Sequence, residues 1–135
     1  MKFFIYFYLA LLILSPFWPM RKNKFLIKLN DRIVPVRIAD ICYFYSEQKN
    51  SYIVTRDNIT YVIDDSLDTV EQVLVHEGFF RISRSVIISE MAIESIHKLP
   101  GGRLKVSLRR GMEAYTDLTV SRARVDNFLR WLEEN

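Results

Sequence analysis

The chain has 135 residues, is 50% hydrophobic and 26% charged, and carries a formal net charge of +3. One core ordinarily takes about 100 to 200 residues, which argues against a two-domain enzyme, and half-apolar composition with 4 glycines and 4 prolines excludes a disordered, collagen-like or linker-rich chain. The lone cysteine, Cys42, excludes an internal disulfide framework and any site built from several thiolates, and it suits a reducing compartment.

In chain order, Phe3 to Met20 is a run of 18 uncharged residues, followed by Arg21, Lys22 and Lys24. At 1.5 Å per residue such a run just reaches across a bilayer core of about 30 Å. Phe17 and Trp18 beside the basic cluster resemble an interfacial anchor, and the positive-inside bias would leave the rest of the chain in the cytoplasm. Residues 1–20 are therefore read as a hydrophobic N-terminal segment and 21–24 as a basic linker. Three origins stay open for that segment: a membrane anchor, a cleaved signal peptide, or an upstream leader or remnant of a longer chain.

From Phe25 the pattern changes to short strands. Phe25–Leu29 alternates, Ile33–Ile38 is β-branched, and Asn30, Asp31 and Arg32 form the turn between them, with Pro35 placing the second strand at an edge. Ile41–Tyr45 and Tyr52–Thr55 are strands separated by the polar Ser46–Ser51, and Ile59–Ile63 follows the turn at Asp57 and Asn58. One short helix is predicted next, capped by Asp65 or Ser66, with Leu67, Val70, Val73 and Leu74 on one face and Gly78 at its end. Strands return at Phe79–Ile82, Val86–Ile88, Ile93–Leu99 and Leu104–Leu108, with a tight turn at Pro100, Gly101 and Gly102. Ser121–Leu132 reads as a terminal amphipathic helix, since Val125, Phe128, Leu129 and Leu132 recur at helical spacing.

Charge separates along the chain. Residues 25–80 hold five basic and nine acidic side chains, whereas residues 81–124 hold nine basic and four acidic ones, seven of the nine being arginine. Guanidinium forks bind phosphates and guanine edges bidentately, so the second segment is a candidate nucleic-acid surface, set against a solvated, salt-bridged face. Arg81, near mid-strand, is expected to brace a neighbouring carboxylate. His76 and His97 lack a nearby cysteine partner, Asp64 and Asp65 suit a helix cap, and the Gly101–Gly102 pair lacks the lysine and helix of a phosphate loop. No catalytic constellation, metal site or cofactor is therefore expected. Asn58, Ile59 and Thr60 match a glycosylation sequon, a pattern that arises often by chance.

The strings CYFYSEQKNSYIVT (Cys42–Thr55), FFRISRSVIIS (Phe79–Ser89), IESIHKL, GRLKVSL, and VSR leading into a helix ending FLRWL resemble the LytTR DNA-binding domain over about Phe25 to Glu134. The resemblance implies a mainly β, elongated fold of small antiparallel sheets with one short internal helix and a C-terminal helix, spanning 25–135. It also implies DNA recognition by loops entering successive grooves. Carried across by position, the contacts are Lys49, Asn50 and Ser51 in one loop, Ser83, Arg84 and Ser85 in a second, and Ser121 and Arg122 in a third. Ser51 stands where some family members have a histidine.

Arg122, at the start of the last helix, could meet O6 and N7 of a guanine, with Ser121 and the helix amides holding a phosphate. Arg84 suits a minor groove or the backbone, and Lys49, Asn50 and Ser51 suit phosphate or base-edge bonds. Lys105, Arg109 and Arg110 are expected on a hairpin within reach of phosphates. Most proteins that the domain resembles are response regulators with a receiver, for which the 24 preceding residues are too few. The expected protein is a bacterial transcription regulator of the two-component type, binding a repeated promoter site on double-stranded DNA as a dimer. Its control would come from membrane attachment, a sensor or membrane partner, or abundance. The alternative is a membrane-tethered, β-rich protein-interaction module using exposed strand edges.

Overall fold

The computed structural model describes residues 23–74 and 76–134. The expectations for residues 1–20 and for Arg21 and Lys22 lie outside the described residues. Among the described residues no helix is long and apolar enough to cross a membrane.

Strands β1 (Lys24–Lys28) and β2 (Ile33–Arg37) form an antiparallel hairpin closed by a bond from Leu29 N–H to the Arg32 carbonyl, 2.8 Å. Pro35 is tolerated because a two-stranded sheet has only edge strands. A five-stranded antiparallel sheet follows in the order β5-β4-β3-β7-β6, built from β3 (Ile41–Glu47), β4 (Asn50–Thr55), β5 (Thr60–Ile63), β6 (Phe79–Ser83) and β7 (Val86–Ser89). A three-stranded sheet, β10-β9-β8, uses β8 (Ile93–Lys98), β9 (Leu104–Leu108) and β10 (Thr119–Val120). The helices are α1 (Leu67–Val73) and α2 (Val125–Glu134).

The continuous apolar runs of β3 and β7 arise because the five-stranded sheet is covered on both faces. Tyr43, Tyr45, Val54, Val86 and Ile88 pack with Val106, Leu118, Val120 and Phe128 in one core. Phe44, Ile53 and Ile87, on the alternate positions, pack with Phe25, Ile27, Val36, Leu67 and Val70 in the other. A register shift between Ile41 and Tyr43 lets Cys42 and Tyr43, though adjacent, both enter the first core. Helix α2 lies over β6, with Phe128 fully buried and ring centroids 5.5 Å from Phe80 and 6.0 Å from Trp131.

Several element ends differ from expectation. The Ser46–Ser51 stretch is mostly strand: β3 runs to Glu47, β4 starts at Asn50, and only Gln48 and Lys49 remain as a two-residue turn. Polar residues continue the ladder there because the paired backbone, not side-chain hydrophobicity, extends a hairpin. Helix α1 is capped by Ser66, whose Oγ accepts from Thr69 N–H at 3.2 Å, and it ends at Val73 rather than Gly78. His76, at φ 70°, turns the chain first, and Gly78 at φ 81° instead leads into β6. The terminal helix opens with a tighter 3₁₀ turn at Arg122–Arg124. Thr119–Val120 pairs with Leu104 and Lys105 as a strand that two residues could not announce.

Candidate nucleic-acid interface

Three turns meet at one end of the five-stranded sheet, and main-chain hydrogen bonds join them. Ser46 N–H donates to the Ser85 carbonyl at 2.9 Å, linking the β3–β4 and β6–β7 turns. Ser121 N–H donates to the Ile82 carbonyl, also at 2.9 Å, and so fixes the β10–α2 junction beside β6. Lys49, Arg84 and Arg122, one on each turn, are exposed cations at this end.

The β3–β4 turn holds two non-glycine residues in left-handed backbone, Gln48 at φ 50° and Lys49 at φ 70°. A two-residue hairpin needs this geometry to match strand twist and usually recruits Asn-Gly, so the turn carries strain for its two long side chains. Lys49 and Asn50 are exposed, whereas Ser51 is 8% exposed within β4, opposite Ser46 and Ile63. It belongs to the strand and is not at the loop tip where the resemblance placed it.

In the β6–β7 turn, Ser85 N–H donates to Ser83 Oγ at 3.3 Å, and the two hydroxyls lie 3.4 Å apart, both half-buried. A register shift between Arg81 and Ser83 adapts the strand to the turn. Arg81 braces it: Nη1 binds Asp68 Oδ1 at 2.6 Å and Glu71 Oε1 at 3.0 Å, while Nε and Nη2 donate to the carbonyls of Ser83 and Arg84. One planar fork therefore ties α1 to the turn, a geometry lysine lacks. The expected carboxylate brace is present, and its second half, the grip on the Arg84 carbonyl, needed the hairpin to exist. Among the described residues the Arg84 side chain has no hydrogen-bond or ion-pair partner.

At the third turn, Ser121 Oγ faces Arg124 Nη1 at 3.5 Å. Arg122 makes no bond to Asp126 one turn on; its Nη1 donates to the Gly101 carbonyl at 3.2 Å. Gly101 and Gly102 both have positive φ, 84° and 80°, and a Cβ on Gly102 would stand 3.3 Å from Arg122 Cδ. The Pro100–Gly102 turn thus seats the arginine.

The remaining candidates separate. Lys105 is exposed on β9, paired with Thr119 and His97. Arg109 and Arg110 are in the turn after β9, not on the β8–β9 hairpin, and Arg109 is engaged through Nε to the Met91 carbonyl at 2.7 Å and Nη1 to Glu94 at 3.6 Å. Met91 follows β7, at the end away from Arg84, so Arg109 and Arg110 do not join the three-turn cluster.

The segment between β9 and β10 is clamped from β3 and the β4–β5 turn. Asn58, left-handed at φ 65°, donates Nδ2–H to the Gly111 carbonyl at 2.7 Å and accepts Glu113 N–H at 2.8 Å. Tyr43 Oη donates to the Glu113 carbonyl at 2.7 Å and accepts Tyr115 N–H at 2.9 Å. Burial pushes the Tyr43 phenol up to about 12, partly opposed by the Tyr115 amide, and burial likewise pushes the Cys42 thiol up to about 11. The clamp sets the path into β10 and hence Ser121 and Arg122. Its residues escaped sequence reading because Asn58 looks like any turn asparagine. Among the described residues no group of three or more His, Cys, Asp or Glu could hold a metal ion.

A family model described as the LytTr DNA-binding domain matches residues 31–133. A solved structure is similar in fold, with a TM-score of 0.71 at 23% identity, covering 82% of this chain and 97% of the other. It is described as the LytTr DNA-binding domain of a methyl-accepting/DNA response regulator from Bacillus cereus. No curated protein matches the chain.

Proposed function

The chain belongs to the LytTR DNA-binding domain family, a family of response-regulator output domains rather than enzymes, and from that premise we propose that it reads duplex DNA sequence-specifically. Its turns enter successive grooves of a repeated promoter site occupied by two copies. Arg122 addresses a guanine edge from the major groove, Arg84 addresses a minor groove or the backbone, and Lys49 and Asn50 bind phosphate or base edges. Lys105, beside β10, adds a phosphate contact. Ser83, Ser85 and Ser121 act mainly by shaping the turns, and Ser51 by packing. The reading is carried by one observation: Lys49, Arg84 and Arg122 are exposed on turns that Ser46, Ile82, Ser85 and Ser121 bond together. We also propose that the functional domain begins at β1 rather than at residue 31, because Phe25 and Ile27, each 3% exposed, complete the second core.

Fluorescence anisotropy on duplexes selected from a randomised pool tests this function. Affinity should fall steeply with salt, each neutralised phosphate adding about 0.9 to the log–log slope. Arg122→Ala should lose about 1 to 3 kcal/mol and blur discrimination at one base pair. Selection that enriches no sequence, or a salt-independent complex, overturns the proposal.

A further inference from the structure

The β1–β2 hairpin has one face in the core and one outside. Register places Lys24 opposite Arg37, Leu26 opposite Pro35 and Lys28 opposite Ile33, and all six are exposed. Phe25, Ile27 and Val36, on the alternate positions, are buried. The outward face therefore carries three cations, no acid and two large aliphatic groups, Leu26 at 58% and Ile33 at 59% exposure, with Leu29 at 40% beside them. A solvated sheet face is ordinarily polar with mixed charge.

We propose that this face docks on an anionic lipid surface. Two independent features select that occupant. The first is charge: among the described residues Lys24, Lys28 and Arg37 make no ion pair, while Arg32, Arg56, Arg81 and Arg109 each have an acidic partner. Acids border the face without lying on it. Asp31 in the hairpin turn is paired with Arg32, and Asp40 is paired with Arg56 and lines a cavity along β2 with Asp57. Glu77 and Glu90 line the cavity that Lys24 and Arg37 also line, and Asp64 and Asp65 line the slot along β1. Cations rimming exposed leucine and isoleucine match an acyl-chain boundary beneath phosphate headgroups, whereas a DNA backbone would leave Leu26 and Ile33 without a partner.

The second is chain continuity. The hairpin starts one residue after Arg21 and Lys22, which follow the uncharged run Phe3–Met20. If that run meets a bilayer, the hairpin is held at high effective concentration against the same surface, and weak docking suffices. Docking would orient the domain; it does not depend on the DNA reading.

The test uses the full chain reconstituted into vesicles, with an environment-sensitive fluorophore on Ile33→Cys in a Cys42→Ala background and on Lys98→Cys as a control. With 30% phosphatidylglycerol the position-33 emission should shift to the blue and return in 1 M salt, while position 98 stays unchanged. Pure phosphatidylcholine should give no shift. Neutralising Lys24, Lys28 and Arg37 to glutamine should lower the docked-to-undocked ratio on the order of 100-fold, about fivefold per charge. No shift at position 33, an equal shift on phosphatidylcholine, or a shift produced by duplex DNA alone overturns the inference. Selection and anisotropy report the DNA function separately.

Discussion

Substituting Gly102 by alanine separates backbone strain from the seating of Arg122. Gly101 and Gly102 have nearly the same left-handed φ, 84° and 80°, so an alanine at either position costs about 1 to 2 kcal/mol of stability. Their surroundings differ: a methyl at 101 meets nothing within 4 Å, whereas a methyl at 102 meets Arg122 Cδ at 3.3 Å and Cγ at 3.8 Å. That side chain must move by some tenths of an ångström at Cδ and by more at the guanidinium, disturbing its 3.2 Å bond to the Gly101 carbonyl. A bidentate arginine–guanine pair is worth about 1 to 3 kcal/mol of discrimination, roughly 5- to 150-fold, and it is sensitive to such a displacement. Anisotropy titrations on the selected duplex and its single-base variants should therefore show Gly102→Ala losing much of that ratio at one base pair, and Gly101→Ala retaining it. In an Arg122→Ala background, Gly102→Ala should have no further effect on discrimination. Equal losses from the two alanines, or an undiminished loss without Arg122, would refute the seating role; discrimination unaffected by Arg122→Ala would instead refute the base-reading role itself.

Arg81→Ala removes the fork shared by Asp68, Glu71 and the Ser83 and Arg84 carbonyls; because both acids are largely exposed, the expected loss is only about 1 to 2 kcal/mol in urea unfolding. Arg81→Lys should not restore the affinity for DNA that the alanine variant loses, since an ammonium cannot span both partners. Asn58→Ala forfeits two bonds and a left-handed turn, so about 2 kcal/mol of stability should go, with hydrogen exchange speeding up at Glu113 and Tyr115. The Tyr43 phenol is raised on folding from 10.0 to about 12, so its contribution is full below pH 10 and lost as pH rises toward 12. Chemical denaturation across that window should show the decline, and Tyr43→Phe should flatten it.

Much of the architecture was legible from local pattern. ICYFY and VII are runs without polar breaks because both sheet faces are covered, and Val125, Phe128 and Leu132 announce α2 by their spacing. The short strand β10 and the full length of β3 and β4 were not legible, since a backbone ladder can recruit Thr119, Glu47 or Asn50 whatever their side chains. Arg81 showed its bracing character by lying mid-strand, yet nothing local revealed that it also grips the Arg84 turn. Ser51 looked like loop because its neighbours are polar, and its burial comes from Ser46 and Ile63 on either side.

By itself the sequence determined most of the strands and both helices, that the arginines concentrate after residue 80, and which known domain the chain resembles. Periodicity and composition are local properties, and short motifs suffice to carry a resemblance. Only the tertiary structure decided which of those arginines share a surface. Arg122 reaches the Arg84 turn through a single bond from Ser121 to Ile82, while Arg109, nearer in sequence to Arg84, is drawn to the opposite end by Met91 and Glu94. Hydrogen bonds between distant segments are made where the two cores bring backbone together, and charge along the chain does not encode that placement.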